Sequence, residues 1–461
     1  MANRVTSSPL TEKGVSMNKI KISKQVTKAT FLALFMLPLV SLVETTVSSS
    51  QQVMAQSKTK KVQSIRQKHI KTFEKIQEAS DAGDNSQVTR LLDKLSKETD
   101  LNNIERAYIA NFRGNIYFQQ DNLNAALREF KSIVNNSEGV PDAFTNQMMY
   151  VIAQVLFSQE KYREALGFAQ RWFKTLPAPT ADGYLLIGQA QYQLKEYDNA
   201  LVNVQKGIDK YTADGRKPKE SWLNLLSNIY RNKNQYSKMV PVLKKLIKFY
   251  PKKPYLSTLA GVYNELNDQR SMTAIFQSMY DANLMSSESE FVTIASLQLS
   301  LENPYKAALI MEKGLNDGTI PKNVKNYGLY SQSLFFAREY SKALEPLQQA
   351  ARLSSDGKYY DQLGQSYISL NRYSDAEGAL KNAVNKGGLQ NTGQTLLSLG
   401  LAQFEQKKFN ASKATFSKAL KHPKSRTSAQ NWIKYVDNEV ARLKALKEEI
   451  IINTDVEPEE R

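Results

Sequence analysis

A spaced pattern of small residues recurs along most of this chain and constrains its fold more than any other feature. A small residue is followed twelve positions later by a second one, as Gly114 is by Ala126 and Gly188 by Ala200. Self-similarity at intervals of 33 to 39 residues is typical of stacked helix pairs, since each short unit must bury its apolar face against its neighbours. The second small position falls at Val88, Ala126, Ala165, Ala200, Met239, Met272, Ala307, Ala343, Ala376 and Ser412.

Aromatic and large apolar residues keep fixed distances from the second small position. An aromatic residue usually lies three positions before it, and a large apolar residue often lies four positions after it. The step of four positions places the second small residue and the large apolar residue on one face of a helix. We therefore expect Gly114 to face Ala126 where two helices cross closely, and Gly188 to face Ala200 in the same way. The aromatic positions are Tyr162, Tyr197, Tyr236, Tyr340, Tyr373 and Phe409, and the large apolar ones are Phe130, Leu243, Phe276, Leu347, Leu380 and Phe416.

This pattern resembles the tetratricopeptide repeat family from about Ile76 to Ala419. The resemblance implies an all-α fold, a right-handed superhelical solenoid of about nine to ten helix pairs with a C-terminal capping helix. The pattern is weaker where Met239 and Met272 replace the second small residue, which predicts looser packing or a kink there. The strongest units hold Gly114, Ala153, Gly188, Gly364 and Gly400.

Composition divides the chain into five predicted segments. Residues 425–452 are interpreted as a helix that caps the last apolar face, with a coiled-coil partner as the alternative. Its predicted apolar stripe is Trp432, Val436, Val440, Leu443, Leu446 and Ile450. The other segments are a start extension and signal peptide (1–55), a basic leading helix with a degenerate first helix pair (56–105), the repeat array (106–424) and a disordered acidic tail (453–461).

The N-terminus has the layout of a secretory signal. Met17 precedes four lysines between positions 19 and 28, and Ala29–Val43 is an apolar stretch too short for a membrane-spanning helix of about 20 residues. Cleavage is predicted after Ala55 and places the mature protein in the periplasm. The long spacer from Glu44 to Ala55 leaves an uncleaved inner-membrane anchor, facing the periplasm, as the alternative.

Residue usage argues against catalysis and against bound cofactors. The chain has no cysteine and two histidines, His69 and His422, near opposite ends of the repeats. We expect both histidines to be solvated and no metal site to join them. No phosphate-binding loop, nucleophile elbow or zinc-protease motif is present in the sequence. The sequence therefore predicts no enzyme, no cofactor, no metal site and a binding protein by default.

The net charge of +17 is spread along the chain. No arginine-rich or aromatic-basic motif stands out, so nucleic acid is not an expected partner. Most of the basic residues are interpreted as solvated outer helix faces. The densest stretch, Lys244 to Lys253, is the place where weak contact with anionic lipid headgroups or an acidic partner is predicted.

In the tetratricopeptide family, the position after the first small residue points into a concave groove. Here that position is mostly an amide, which can donate and accept hydrogen bonds, and aromatic residues follow three positions later. This pattern predicts a neutral groove for an extended protein segment. Solvent-facing polar positions are the alternative, and the absence of lysine disfavours a clamp for acidic C-termini. The predicted partner-binding residues are Asn115, Phe118, Gln154, Phe157, Gln189, Tyr192, Asn228, Gln332, Phe335 and Gln365.

The layout of the whole chain resembles exported tetratricopeptide proteins of gamma-proteobacteria encoded beside TonB–ExbB–ExbD genes, on stretches such as Arg113–Tyr117 and Leu225–Tyr230. The resemblance implies an accessory factor of TonB-dependent uptake that binds components of that complex. Two alternatives remain open: a chaperone-like envelope assembly factor, and a structural protein that binds anionic lipid or cell-wall polymer. The sequence indicates neither the identity of the partner nor the oligomeric state.

Overall fold

The structure is a computed structural model that describes residues 62–213 and 215–454. The predicted start extension and signal peptide, with cleavage after Ala55, lie outside the described residues. So do residues 455–461 of the predicted tail, whereas residues 453 and 454 belong to the last helix. Within the described residues, no helix combines the length and apolar character that a membrane-spanning helix requires.

Every regular element of the described residues is a helix. The chain forms two compact units that divide between Asn234 and Gln235. Unit 1 contains α1 (Gln67–Asp81), α2 (Asn85–Leu95), α3 (Asn103–Gln119), α4 (Leu123–Asn135), α5 (Asp142–Ser158), α6 (Tyr162–Thr175), α7 (Ala181–Gln193), α8 (Tyr197–Ala213) and α9 (Glu220–Asn232).

Unit 2 continues the alternation of helices and ends on a long helix. It contains α10 (Tyr236–Phe249), α11 (Lys253–Glu265), α12 (Gln269–Asp281), α13 (Glu288–Ser300), α14 (Pro304–Asn316), α15 (Val324–Phe336), α16 (Tyr340–Leu353), α17 (Lys358–Ser369), α18 (Tyr373–Lys386), α19 (Thr392–Glu405), α20 (Phe409–Ala419), a 3₁₀ turn (Pro423–Ser425) and α21 (Arg426–Thr454). The all-α fold built from helix pairs is confirmed, while the right-handed superhelix stays a prediction.

The turns inside the pairs share one backbone device. After the first helix of a pair, one residue other than glycine adopts the left-handed conformation, as Asp121 does with φ 61°. The next amide then donates to the carbonyl five residues back, as Asn122 N does to Tyr117 O at 2.8 Å. This bond ends the helix and offsets the cost of the left-handed residue. The equivalent residues are Asp121, Glu160, Lys195, Asn267, Glu302, Arg338, Asn371 and Lys407.

The first helix pair, α1 with α2, has a fully formed core. Phe73, Ile76, Val88 and Leu92 are buried together, and α3 contributes Ile109 to the same cluster. The basic leading helix predicted from the sequence is therefore the first helix of this pair. It begins at Gln67, and residues 62–66 before it are not helical.

The first small residue of a repeat packs most tightly against the apolar residue that lies four positions after the second small residue. A Cβ placed on Gly114 would lie 2.3 Å from Cε1 of Phe130, the large residue four positions after Ala126. A Cβ on Gly400 would lie 2.5 Å from the same atom of Phe416. The missing side chain therefore makes room for a large residue of the second helix, which packs directly on the glycine backbone.

Two other repeats follow the same geometry with smaller partners. A Cβ on Gly364 would lie 2.4 Å from Cγ of Leu380. A Cβ on Gly188 would lie 2.7 Å from Cγ2 of Val204 and 3.3 Å from the carbonyl oxygen of Ala200. The predicted approach of Gly188 to Ala200 is confirmed at the Ala200 backbone. In the repeat of Gly400, the hydroxyl of the second small residue, Ser412, donates to the carbonyl of Gly400 at 2.8 Å. The approach of Gly114 to Ala126 stays a prediction.

The last helix, α21, covers the final pair of unit 2 over the first part of its length. Trp432 stacks on Phe416 with ring centroids 5.4 Å apart and planes within 12°. Ala429 and Val436 are buried in the same cluster. Further along the predicted apolar stripe, Val440 and Leu446 are exposed. The described part of α21 thus buries only the N-terminal portion of that stripe.

Candidate partner-binding faces

The first helices of unit 1 meet through a row of aromatic rings. The ring of Tyr108 on α3 lies 5.9 Å from that of Phe73 on α1 and 5.3 Å from that of Phe144 on α5. The side of α3 that carries Tyr108 therefore lies against the neighbouring first helices α1 and α5. By helical periodicity, Asn111, Asn115 and Phe118 continue this face beyond Tyr108. We call this side of α3, together with the corresponding sides of the other first helices of unit 1, the first-helix face of unit 1.

The seven predicted partner-binding residues of unit 1 are all half-buried: Asn115, Phe118, Gln154, Phe157, Gln189, Tyr192 and Asn228. Partial exposure leaves each of them some surface for a ligand. The three other predicted residues, Gln332, Phe335 and Gln365, belong to unit 2. The structure thus divides the predicted residues between the two units, seven in unit 1 and three in unit 2.

The predicted aromatic anchors also pack within the turns of their own pairs. Phe157 lies edge-on to Tyr162 at 5.1 Å, and Tyr192 lies 5.8 Å from Tyr197. Phe118 and Phe157 additionally pack against the main core cluster of unit 1. These rings join the end of a first helix to the start of the second, so only part of each ring is available to a partner.

In unit 2 the predicted residues have different surroundings. Gln332 is exposed, and Phe335 is 44% exposed. The amide of Gln365 on α17 donates to the hydroxyl of Ser398 on α19 at 2.8 Å. This bond links two consecutive first helices, so Gln365 has a structural role in addition to any contact with a ligand.

An exposed aromatic patch at the end of α15 was not predicted from the sequence. Phe336 is 56% exposed, and its ring lies 6.2 Å from that of Phe335, which in turn contacts Tyr340 at 5.2 Å. The sequence does contain a signal for this patch, because Phe336 is apolar at a repeat position that is otherwise polar. The equivalent positions of the other repeats are all polar: Gln119, Ser158, Gln193, Asn232, Glu265, Ser300, Ser369 and Glu405.

Sequence reasoning also missed Asn111, which lies one helical turn before Asn115. The side-chain oxygens of both residues are buried and have no hydrogen-bond partner among the described residues. Asn111 is only 8% exposed. Buried polar atoms without partners are rare in folded proteins. The i, i+4 spacing from Asn115 could have identified this residue, because it places both amides on one face.

The expectation that His69 is solvated is wrong. His69 is 5% exposed, and its Nδ1 lies 2.9 Å from Oε1 of Glu105, whose side chain is fully buried. Arg66 donates to the same carboxylate from Nη2 at 2.6 Å and from its backbone amide at 3.0 Å. Asn102 adds a backbone hydrogen bond of 3.0 Å. This network joins α3 to the segment that begins α1.

Hydrogen bonding determines the charge state of Glu105. Burial alone would raise its pKa, but hydrogen bonds from the side chain and backbone of Arg66, from Asn102 and from His69 outweigh burial. The pKa of Glu105 is lowered to about 2. In unit 2, burial is likewise outweighed at Glu377 by hydrogen bonds from Lys381, Lys408 and Gln403, and its pKa is lowered to about 2.

One group in unit 1 has ligand atoms close enough to hold a metal ion. Atoms of His69, Glu98 and Asp100 lie within 4.8 Å of one another. Asp100 already accepts hydrogen bonds from Arg66 at 2.8 Å and Lys68 at 2.6 Å. These two cations repel a divalent ion at the same carboxylate, so the geometry is better explained as an ion-pair network.

We predict that acid destabilises the protein through Glu105 and Glu377. The pKa of each is about 2 in the folded state, against 4.5 for a free glutamate. Their stabilisation is therefore complete above about pH 4.5 and is lost as the pH falls towards 2, by about 2–3 kcal/mol for each. Between pH 7 and pH 2.5, the melting temperature should fall more for the wild type than for the double variant Glu105→Gln/Glu377→Gln. An equal fall in melting temperature for the two proteins would contradict the prediction.

Comparison with known proteins identifies one repeat directly. Residues 220–253 match the family model of the tetratricopeptide repeat. The match takes in the residues of α9 and α10, so the chain carries a tetratricopeptide repeat. No curated protein sequence matches the chain.

Several solved structures are similar at low sequence identity. The TPR2AB domain of yeast Sti1, solved with pHSP90, is 13% identical, covering 56% of this chain and 96% of that one, with a TM-score of 0.29. YrrB, described as having an unusual peptide-binding site, is 14% identical over 42% and 97%, with a TM-score of 0.34. The Cut9–Hcn1 assembly is 13% identical over 83% and 87%, with a TM-score of 0.27. No inference about a partner follows from such scores.

Proposed function

We propose that the protein is a non-catalytic scaffold whose first-helix faces hold an extended segment of a protein partner. The observation that carries the proposal is the first-helix face of unit 1. The ring of Tyr108 on α3 contacts rings of α1 and α5. Gln154 and Gln189 are half-buried on the successive first helices α5 and α7. Amides can pair with the backbone of any extended chain, whatever its side chains.

The uncharged residues at one repeat position of this face favour a neutral segment over an acidic one. The amides Asn115, Gln154, Gln189 and Asn228 occupy the same repeat position in unit 1. No lysine or arginine stands there to pair with a carboxylate. A partner would therefore be held by backbone hydrogen bonds and by the exposed parts of rings such as Tyr192, which suits a flexible region of another protein.

The proposed location is the periplasm, and the proposed partner is a component of the TonB complex. Support comes from the signal-like layout of Met17 to Ala55 and from the resemblance of the whole chain to exported proteins encoded beside TonB genes. The inner-membrane anchor is the alternative location. An accessory factor of this kind would bind a flexible periplasmic segment during energised uptake.

Photo-crosslinking in cells tests the proposal. A crosslinking residue at Gln189 or Asn228 should give one dominant adduct, identified by mass spectrometry as a TonB-complex protein. The control site is Arg128, which is exposed on the second helix α4 and should not give that adduct.

Other outcomes identify the alternatives. Many outer-membrane clients at Gln189 would replace the TonB assignment with an envelope assembly factor. Absence of adducts at both face positions, together with salt-sensitive binding to anionic vesicles or cell-wall sacculi, would contradict the proposed groove. That result would favour a structural protein acting through its basic surface.

A further inference from the structure

The helix α21 (Arg426–Thr454) extends well beyond the part that packs on the final pair of unit 2. Val436 is its last buried residue among those whose burial the structure describes. Beyond it, Val440 is 42% exposed, Leu446 is 39% exposed and Leu443 is half-buried. Steps of four and seven positions keep Val440 and Leu443 on the side of α21 that carries Val436. The apolar side that covers the final pair therefore continues onto an exposed length of helix, whose Val440, Leu443 and Leu446 we call the α21 stripe.

Charge is distributed unevenly on the two sides of the α21 stripe. Residues 418–434 include five basic residues and no acidic one, whereas residues 448–461 include six acidic residues and one basic one. The chain therefore has a positive region before the stripe and a negative region after it, and opposite charges attract across an interface. The five basic side chains are all exposed and form no ion pair with a described residue: Lys418, Lys421, Lys424, Arg426 and Lys434.

The acidic end of the same chain is too short to reach these basic residues. Lys434 is the basic residue nearest to the end of α21, and it precedes Thr454 by 20 residues, which is about 30 Å along a helix. The seven residues after Thr454 span about 25 Å at most, even when fully extended. The other four basic residues lie further away, at the end of α20, in the following turn or at the start of α21. A neutralising acidic segment must therefore come from another molecule.

We infer that α21 pairs with α21 of a second copy in antiparallel orientation and forms a symmetric dimer. The α21 stripe of each copy covers that of the other, as apolar side chains do where two helices pair. When Val440 of one copy is level with Leu443 of the second, Lys434 is level with Glu449 of the second copy. In a parallel pair the two acidic ends would lie side by side and repel each other. The inference does not depend on the proposed function.

Sedimentation equilibrium of the full-length protein over a range of concentrations tests the dimer. A short helix pair is a small interface, so we expect a weak dimer that dissociates on dilution. The double variant Val440→Ser/Leu443→Ser should raise the dimer Kd about a hundredfold, because symmetry removes each apolar side chain twice. The matched control is Ala441→Ser/Ala445→Ser, at exposed positions on the opposite side of α21, and it should leave Kd unchanged. A protein that is monomeric at every concentration, or equal Kd values for the two variants, would overturn the inference.

Charge reversal tests the contact between the basic region and the acidic end. In the antiparallel alignment, Lys434 is level with Glu449 and Lys424 with Glu459 of the second copy. Lys424→Glu/Lys434→Glu should weaken the dimer about tenfold at low salt, and so should Glu449→Lys/Glu459→Lys. All four substitutions in one chain should restore the wild-type Kd, because each acidic region then meets a basic one again. Failure of the fourfold variant to recover affinity would overturn the antiparallel assignment, and recovery excludes misfolding as the cause of the loss.

Spin labels measure the orientation directly, since the chain has no cysteine of its own. A label on Thr427→Cys, at an exposed position near the start of α21, should be about 45 Å from its copy in an antiparallel pair. A parallel pair would bring the two labels to about 10–20 Å, and such a distance would overturn the proposed orientation. Binding of monomeric protein to anionic vesicles, lost in Val440→Ser/Leu443→Ser, would assign the α21 stripe to a membrane surface and overturn the dimer.

Discussion

Replacement of Glu105 by glutamine is expected to destabilise unit 1 by about 2 kcal/mol, because several donors lose a charged acceptor in a buried position. The carboxylate has no exposed surface and accepts hydrogen bonds from Arg66, Asn102 and His69. It also completes the capping box at the start of α3. Glutamine keeps one acceptor oxygen but turns an amide donor towards the donors of Arg66.

Hydrogen exchange measures this effect locally, which suits a chain of two units better than a single unfolding midpoint. Amides of α1 and α3 should exchange faster in Glu105→Gln, while those of unit 2 keep their protection. Glu74→Gln is the matched control, since Glu74 is exposed on α1 and should leave exchange unchanged. Equal protection in the two variants would show that the network does not stabilise α1 on α3.

Replacement of Gly114 by alanine is expected to destabilise the α3–α4 pair by about 2 kcal/mol. The new Cβ would lie 2.3 Å from Cε1 and 2.7 Å from Cδ1 of Phe130. Phe130 is fully buried, so its ring cannot move aside without disturbing the core. This cost exceeds the gain of about 1 kcal/mol that alanine brings over glycine in a helix.

The matched control is Gly167→Ala on α6, where a Cβ would meet no atom within 4 Å. That variant should be slightly stabilised, by about 0.5–1 kcal/mol, so the two identical substitutions should shift the urea midpoint of unit 1 in opposite directions. A double variant of Gly114→Ala with Phe130→Leu should recover part of the loss. If Gly114→Ala behaved like Gly167→Ala, close packing on the glycine would not be the reason for its place in the repeat.

The helices and their pairing could be predicted from the sequence because the signals are local. Apolar residues at i and i+4 mark the buried face of a helix, and their recurrence at one period marks successive units. The amide positions on the first helices follow from the same period, so Gln154, Gln189 and Asn228 could be assigned to one face. Their role as a binding site stays a prediction.

The partner of each small residue could not be predicted in this way. Ala126 and Phe130 lie one turn apart on the same face of α4. How closely each of them approaches the glycine depends on the crossing angle and stagger of the two helices. The turn at Asp121 and the packing of neighbouring pairs determine those quantities, and Phe130 has the ring that reaches the glycine backbone.

By itself the sequence determined the class of the fold and the period of the helix pairs, since these depend on residues a few positions apart. Only the tertiary structure decided that Glu105 and Arg66, 39 residues apart, form an ion pair in which the carboxylate is buried. It also decided that His69 is buried and that Asn111 carries an unpartnered oxygen. Burial and hydrogen bonding depend on which helices meet, and that information is not contained in the spacing of any one repeat.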